Sequence, residues 1–180
     1  MTKKDFRFLC YPFMRESVST VDFEIRTDSL TTKIGLAASL TKEIPVVYKD
    51  LMNLLPLAYH LNGSVRGKLA IDEEDVRYVS ELYDFYAAEV GDRIDRFVLP
   101  QGTTAACVLH TCRSEAKKSV RALHKVSLEK EVPNILFDFT HLLANLLFLM
   151  AVYVNKLNDV EEVPFISKSY PKTRKKNPEE

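Results

Sequence analysis

The sequence predicts an all-α protein, an antiparallel bundle of five helices. Only five of the 180 residues are glycine, whereas average usage would give about 13. Apolar residues make up 46% of the chain and tryptophan is absent. These apolar residues recur at helical spacing in five segments, which proline, glycine or capping residues separate. A chain of this length buries roughly 70% of its unfolded surface, so it needs no disulfide or metal to fold.

The first two helices are predicted from apolar spacing and from proline. Residues 1–20 contain four aromatic side chains and a proline, and they predict an N-terminal arm, either extended or a short strand. From Asp28 onward the apolar spacing predicts the first helix. Pro45 begins the second, because proline suits a first helical turn, and Gly63 ends it. Pro56 lies inside this helix and predicts a kink.

The last three helices have clearer boundaries. Asp72 is a strong N-cap followed by acidic residues, and the third helix continues to Gly91. Thr103 and Thr104 are cap candidates for the fourth helix. Pro133 begins the last helix, which is apolar nearly all round and therefore predicts a central, fully buried element.

The predicted domain organisation is an arm, residues 1–20, a bundle, residues 21–160, and a charged tail, residues 161–180. The tail is rich in lysine and proline, which predicts disorder. Its basic residues include Lys172, Arg174, Lys175 and Lys176.

Composition also limits which partners and which cellular compartment are expected. Lys plus Arg and Asp plus Glu number 25 each, so the chain has no overall basic field and no nucleic-acid partner is expected. Three cysteines without a CxxC pair and the lack of a leading apolar run predict a cytoplasmic protein. Residues 135–154 have the length of a membrane span. Asp138 and His141 within them favour a buried helix instead, so no membrane partner is expected.

Several kinds of chemistry find no support in the sequence. The first glycine is Gly35, so the N-terminal segment cannot form a glycine-rich phosphate loop, and no GxxxxGK[ST] or GxGxxG motif is present. No Ser–His–Asp or paired-carboxylate pattern is evident. Cys107, His110 and Cys112 share one helix, but Cys112 points away from the other two, so no metal site is expected.

Two patterns remain as candidate binding sites. Arg113, Lys117 and Arg121 follow one another at four-residue spacing, which can present donors to a polyphosphate or can simply form a solvated face. His141 and Asn145 lie one turn apart on the apolar last helix, and they are either satisfied core residues or part of a ligand site.

Three segments carry a resemblance to the PduO-type ATP:cob(I)alamin adenosyltransferases. Residues 97–114 (FVLPQGTTAACVLHTCRS) resemble the family's F-x-L-P-G-G-x-x-x-A-A-x-L-H-x-A-R-T. Residues 27–37 (TDSLTTKIGLA) resemble V-D-E-L-N-x-x-I-G-L-A. Residues 139–155 (FTHLLANLLFLMAVYVN) resemble Y-L-N-R-L-S-D-L-L-F-x-L-A-R-Y-x-N. The order and spacing of the segments also agree.

The resemblance implies a homotrimer of helical bundles with its active sites at subunit interfaces. It implies transfer of the 5′-deoxyadenosyl group of ATP, bound with Mg²⁺, to cob(I)alamin, a corrinoid held without its lower ligand. Asp28 and Arg113 fall on an intersubunit salt bridge needed for catalysis, and Phe97 falls on the corrinoid side. Lys117 and Arg121 fall on the triphosphate side.

Thr140 and Asn145 fall on further binding positions of the last helix, with residue types that differ from the family's. The family's N-terminal T-R-x-G-D-x-G-T motif has no counterpart, and Lys117 stands where the family has arginine. Two alternatives therefore stay open. One is a non-catalytic relative that binds a corrinoid or another ligand as a carrier, sensor or regulatory bundle, and the other is a purely structural bundle.

Overall fold

The computed structural model describes residues 6–169, which form five α-helices and two short 3-10 helices and contain no strand. The predicted all-α class and the number of long helices are confirmed. The α-helices are α1 (Ser19–Leu40), α2 (Pro45–Ser64), α3 (Glu73–Val90), α4 (Thr104–Ser127) and α5 (Asn134–Leu157). The 3-10 helices span Phe6–Phe8 and Gly91–Ile94.

The first helix begins at Ser19, well before the predicted start at Asp28. The reason is that its first turns bury polar groups, which hide the apolar period. Glu24 is 4% exposed and its carboxylate is paired with Arg66 at 2.7 Å. Thr27 is fully buried, and its hydroxyl donates to the carbonyl of Phe23.

The middle helix of the bundle is α4, which packs between α1 and α5, while α2 packs on α1 and α3 packs on α5. Contacts at both ends of the α1–α4 pair show that these helices run antiparallel. Lys33 pairs with Glu115 at 2.6 Å, and the Ser19 backbone N–H donates to Glu129. As the residue numbers rise along α1, they fall along α4.

The neighbouring pair α3 and α5 runs parallel. Tyr86 meets Tyr153 with ring centroids 5.2 Å apart, and three residues further along both helices Lys156 bonds Glu89. A parallel neighbour is possible here because α4 and its connections separate α3 from α5 in the chain. The bundle is therefore antiparallel except at this pair.

Helix α5 differs from the prediction of a fully buried element. Asp138, His141 and Asn145 are exposed and form a polar strip along one side, whereas residues such as Leu143 and Leu147 are buried. By length and composition alone α5 is apolar enough to cross a membrane, and 61% of its most apolar stretch is buried inside the bundle. The polar strip of α5 is the part that contributes to the candidate site.

The predicted tail begins with an ordered segment. Within residues 161–169, the backbone N–H of Phe165 donates to the carbonyl of Phe97, and Val163 accepts from the N–H of Leu99, both at 2.8 Å. This short antiparallel contact holds the segment against the connector between α3 and α4. Residues 170–180, which include most of the predicted basic tail, lie outside the described residues.

A buried hydrogen bond joins α2 to α3. The fully buried Tyr86 hydroxyl donates to Asp50 at 2.8 Å, and Asp50 is 7% exposed. Burial raises the pKa of Asp50, and burial together with the bond to Asp50 raises the pKa of Tyr86.

We expect Tyr86→Phe to destabilise the fold by about 1–3 kcal/mol, because it leaves the buried Asp50 carboxyl without its donor. Tyr78→Phe is the matched control, since the Tyr78 hydroxyl joins the same two helices through Asn53 at an exposed position. Chemical denaturation of both variants is the measurement. Equal losses of stability in the two variants would contradict this assignment.

Candidate functional site

A cationic groove lies between α4 and α5. Arg113, Lys117 and Arg121 line one side, and His141 and Asn145 on the polar strip of α5 line the other. The groove encloses about 290 Å³. The four-residue spacing of the cations follows the helical repeat, so their side chains stand on successive turns of α4.

A larger, mainly apolar cavity, called the apolar cavity below, lies next to the cationic groove and shares Arg113 with it, and Asp95 and Arg96 also line it. It encloses about 560 Å³ and is lined by Phe97 from the connector, by His110 and Arg113 from α4, and by Phe148 from α5. Arg113 lines both spaces. Its guanidinium carbon lies 5.1 Å from the centroid of the Phe148 ring, a cation–π contact that fixes the charge at their junction.

Phe97 is 70% exposed, an unusual position for a large apolar side chain. Its ring lies 5.9 Å from that of Phe165, and with Ile166 the two rings line a further cavity of about 720 Å³. Sequence reasoning missed Phe165 because it lies in the predicted tail. The signal was the short apolar run Val163–Ile166 beside an otherwise charged segment.

A second cationic groove lies on the other side of the α4 stripe, between α1 and α4. Lys117 and Arg121 line it together with Arg26 and Lys125, and it encloses about 420 Å³. Within residues 6–169 none of these four cations forms an ion pair, although Asp22 lies at the groove. Sequence reasoning missed Lys125, which continues the four-residue spacing, and Arg26, which only packing brings to α4.

Asp28 lies away from the other candidate residues. It is exposed on α1 and accepts a hydrogen bond from the Tyr59 hydroxyl of α2 at 2.9 Å, which raises the pKa of Tyr59. Arg113 faces α5, and in the described part of the chain no carboxylate pairs with it. One chain therefore does not form the Asp28–Arg113 bridge, and such a pair needs a second copy.

The structure does not place Thr140 at the groove. Its side chain is fully buried, and its hydroxyl donates to the carbonyl of Leu136 at 2.6 Å. Its neighbour His141 lines the groove because adjacent residues of a helix point about 100° apart. The structure thus brings together Phe97, Arg113, Lys117, Arg121 and Asn145, and leaves Asp28 and Thr140 elsewhere.

A buried asparagine fixes the turn that carries Phe97 into α4. Asn155 is fully buried, donates to the carbonyl of Gln101 at 2.9 Å and accepts from the N–H of Thr103 at 3.1 Å. Thr103 caps α4 by accepting from the N–H of Ala106. Because the N–H groups of Thr103 and Ala106 are already bonded, this turn acts as a helix cap.

His110 is a buried polar residue in the apolar cavity. It is 7% exposed, and neither ring nitrogen has a hydrogen-bond partner. Burial, with a smaller contribution from Arg113, lowers its pKa to about 4, so the ring is neutral at pH 7.

No group of three metal-ligating side chains lies anywhere in residues 6–169. Cys112 is buried, with its pKa raised to about 12.

The sequence model of the family described as cobalamin adenosyltransferase matches residues 15–154. The chain belongs to the cobalamin adenosyltransferase family. The matched region contains the whole of α1 to α4 and most of α5, and thus the two cationic grooves and the apolar cavity. The resemblance in the sequence is therefore confirmed at the level of the family.

Relatives of this adenosyltransferase family agree in length and fold. A corrinoid adenosyltransferase of Bacillus subtilis (strain 168) is 26% identical over 147 residues, which cover 77% of this chain and 75% of that protein. Two variants of a PduO-type ATP:corrinoid adenosyltransferase from Lactobacillus reuteri, both complexed with cobalamin and ATP, are 20% identical and have TM-scores of 0.74 and 0.76. They align with 82% and 84% of this chain and with 83% and 88% of their own. The protein shares their fold.

Proposed function

We propose that this protein transfers the 5′-deoxyadenosyl group of ATP, bound with Mg²⁺, to cob(I)alamin. One observation carries the proposal: Arg113 joins an apolar cavity, bordered by Phe97, to a groove lined by cations. A corrinoid needs an apolar surface beside it, and a nucleotide needs positive charge along its phosphates. The two spaces are adjacent, as a transfer between the two substrates requires.

The reaction requires that the two substrates be positioned next to each other and that the charge on the leaving triphosphate be neutralised. The cobalt of cob(I)alamin supplies the electron pair, a cobalt–carbon bond forms at C5′, and the bond from C5′ to the phosphate oxygen breaks with its electrons leaving on triphosphate. No general base is needed. Lys117 and Arg121 would stabilise the leaving triphosphate. Phe97 would cover the corrinoid face and keep its lower ligand away.

The second cationic groove supports phosphate binding without a glycine-rich loop. Lys117 and Arg121 form the ridge between the two grooves, so a triphosphate on the ridge is also within reach of Arg26 and Lys125. The whole chain carries equal numbers of acidic and basic residues, and yet this groove has one carboxylate, Asp22. Such segregated charge favours a polyanionic ligand.

We further propose a homotrimer in which Asp28 pairs with the partner's Arg113. Asp28 is exposed and accepts a hydrogen bond from the Tyr59 hydroxyl, and neither Asp28 nor Arg113 forms an ion pair within the described chain. Large apolar side chains around Asp28 are exposed, among them Ile25 at 42% and Tyr59 at 58%. A subunit interface would bury them.

An anaerobic assay tests the function. With Mg-ATP and chemically reduced cob(I)alamin, we expect adenosylcobalamin to form, followed by absorbance. Phe97→Ala should raise the KM for the corrinoid by about 10-fold or more, because a large apolar contact is lost. It should leave folding intact, since Phe97 is 70% exposed.

The matched control is Leu128→Ala, which truncates an apolar side chain that is 87% exposed and lies outside the apolar cavity and the cationic groove. It should leave the KM unchanged. Corrinoid binding without any product, from folded and trimeric protein, would instead support the non-catalytic relative. Binding of neither substrate would leave only a structural bundle.

A further inference from the structure

Two of the three buried side-chain polar atoms without a hydrogen-bond partner in residues 6–169 belong to one ring, the imidazole of His110. Leaving a buried donor or acceptor unsatisfied costs about 1–3 kcal/mol, and native proteins rarely do so. His110 lies in the second turn of α4, where an apolar side chain would pack without this cost. The orphaned imidazole therefore needs a partner that the isolated chain does not supply.

The His110 ring borders the apolar cavity, although protein atoms cover both of its nitrogens in the free chain. The ring lines the cavity beside Phe97 and Arg113, and its centroid lies 6.0 Å from that of Phe148. Asp95 and Arg96 line the same cavity nearer the connector, and neither bonds to the imidazole. The open space next to the ring is thus the space proposed for the corrinoid.

The chemistry of His110 restricts what it can bind. The neutral ring offers one N–H donor and one acceptor nitrogen. A carboxylate satisfies only the donor, and a cation would be repelled by the neighbouring Arg113. A primary amide has both a donor and an acceptor, so it suits the ring best. The corrin ring carries neutral primary amides on side chains around its periphery.

We propose that His110 binds the corrinoid by hydrogen-bonding a primary amide side chain at the edge of the corrin ring, while Phe97 covers the face. The inference rests on the proposed function and adds a residue that recognises the edge of the substrate. Because both ring nitrogens are solvent-inaccessible in the free protein, the His110 ring must turn toward the cavity, where bound corrinoid would supply the partner that it lacks.

The test compares His110→Phe with His110→Gln, which keeps a donor and an acceptor. Equilibrium dialysis with cob(II)alamin under anaerobic conditions measures corrinoid affinity. We expect His110→Phe to weaken binding about fivefold to tenfold, the value of one hydrogen bond, and His110→Gln to recover most of the loss. The Kd for Mg-ATP should stay unchanged in both. His124→Phe is the matched control, because the His124 ring packs on Phe137 outside the apolar cavity.

Two further measurements separate recognition from a structural role. The probes are cobalamin derivatives in which one peripheral amide is hydrolysed to a carboxylate. The derivative that is altered at the position bound by His110 should bind the wild-type protein more weakly than cobalamin does. His110→Phe should bind this derivative and cobalamin with equal affinity. The melting temperature of free His110→Phe should equal or exceed that of wild type, because the orphaned polar ring is gone. Corrinoid binding equal to wild type in His110→Phe, or loss of its trimer, would overturn the inference while the proposed function stands. If wild type binds no corrinoid, both fail.

Discussion

Arg113→Ala is expected to lower adenosylcobalamin formation strongly and to dissociate the proposed trimer. Removing one partner of a charge pair that is buried and hydrogen-bonded in an interface costs about 2–5 kcal/mol, so kcat/KM should fall by about 30-fold or more if Arg113 forms the proposed pair. The size of the effect follows from position, because Arg113 borders both the apolar cavity and the cationic groove. Anaerobic kinetics and analytical ultracentrifugation measure the two losses separately.

Other substitutions at the same pair distinguish charge from geometry. Arg113→Lys keeps the charge but loses the two-pronged fork and the flat contact with Phe148, so an intermediate loss is expected. Exchanging the charges, with Asp28→Arg and Arg113→Asp together, should restore the trimer without restoring activity. Arg77→Ala is the control, since Arg77 is an exposed arginine of α3 paired with Glu74.

Two outcomes would contradict this account. If Arg113→Ala remains trimeric with unchanged kinetics, the Asp28 pairing and the junction role are both wrong. If the trimer is lost while the affinities for ATP and corrinoid stay the same, Arg113 serves assembly only. The test is needed because Asp28 is exposed and bonded to Tyr59 in one chain, so the proposed bridge would have to form between copies.

The sequence predicted best what depends on local chemistry. Asp72 caps α3 through a capping box with Asp75, Gly91 ends this helix, and Thr103 caps α4. All three interactions lie within a few residues of chain. Where α1 begins could not be predicted in this way, because Glu24 is buried only through its pairing with the distant Arg66.

The same division holds for the candidate site. The spacing of the α4 cations follows the helical repeat, and it extends to Lys125. Arg26 joins them only because α1 packs against α4, which no local pattern reveals. Thr140, in contrast, was predicted to lie at the site and does not. A resemblance to a family matches positions along the chain, but packing decides which way a side chain points. The Thr140 side chain points into the core.

Gly102→Ala is expected to lower stability by about 3 kcal/mol, because the turn before α4 has no room for a side chain. Gly102 has φ +126°, a conformation that other residues rarely adopt. A Cβ there would lie 2.0 Å from Oδ1 and 2.4 Å from Nδ2 of Asn155, a fully buried side chain. Asn155 cannot move aside without losing its bonds to Gln101 and Thr103.

The measured quantity is the melting temperature, which should fall by roughly 6–12 °C for a chain of this size. Gly63→Ala is the first control, because nothing lies within 4 Å of the added Cβ inside α2, and alanine should hold or raise stability there. Gly91→Ala is the second, since Gly91 combines φ +55° and ψ −129° with open space and so isolates the backbone cost of about 1–3 kcal/mol.

The comparison between the glycines decides the role of Asn155. If Gly102→Ala and Gly91→Ala lower the melting temperature equally, the clash with Asn155 is relieved at no cost, and the turn is not held rigidly. If Gly102→Ala melts far lower and also raises the KM for the corrinoid, Asn155 fixes the segment that presents Phe97. The second result is expected, because Asn155 bonds both sides of Gly102 and thereby couples the end of α5 to the edge of the apolar cavity.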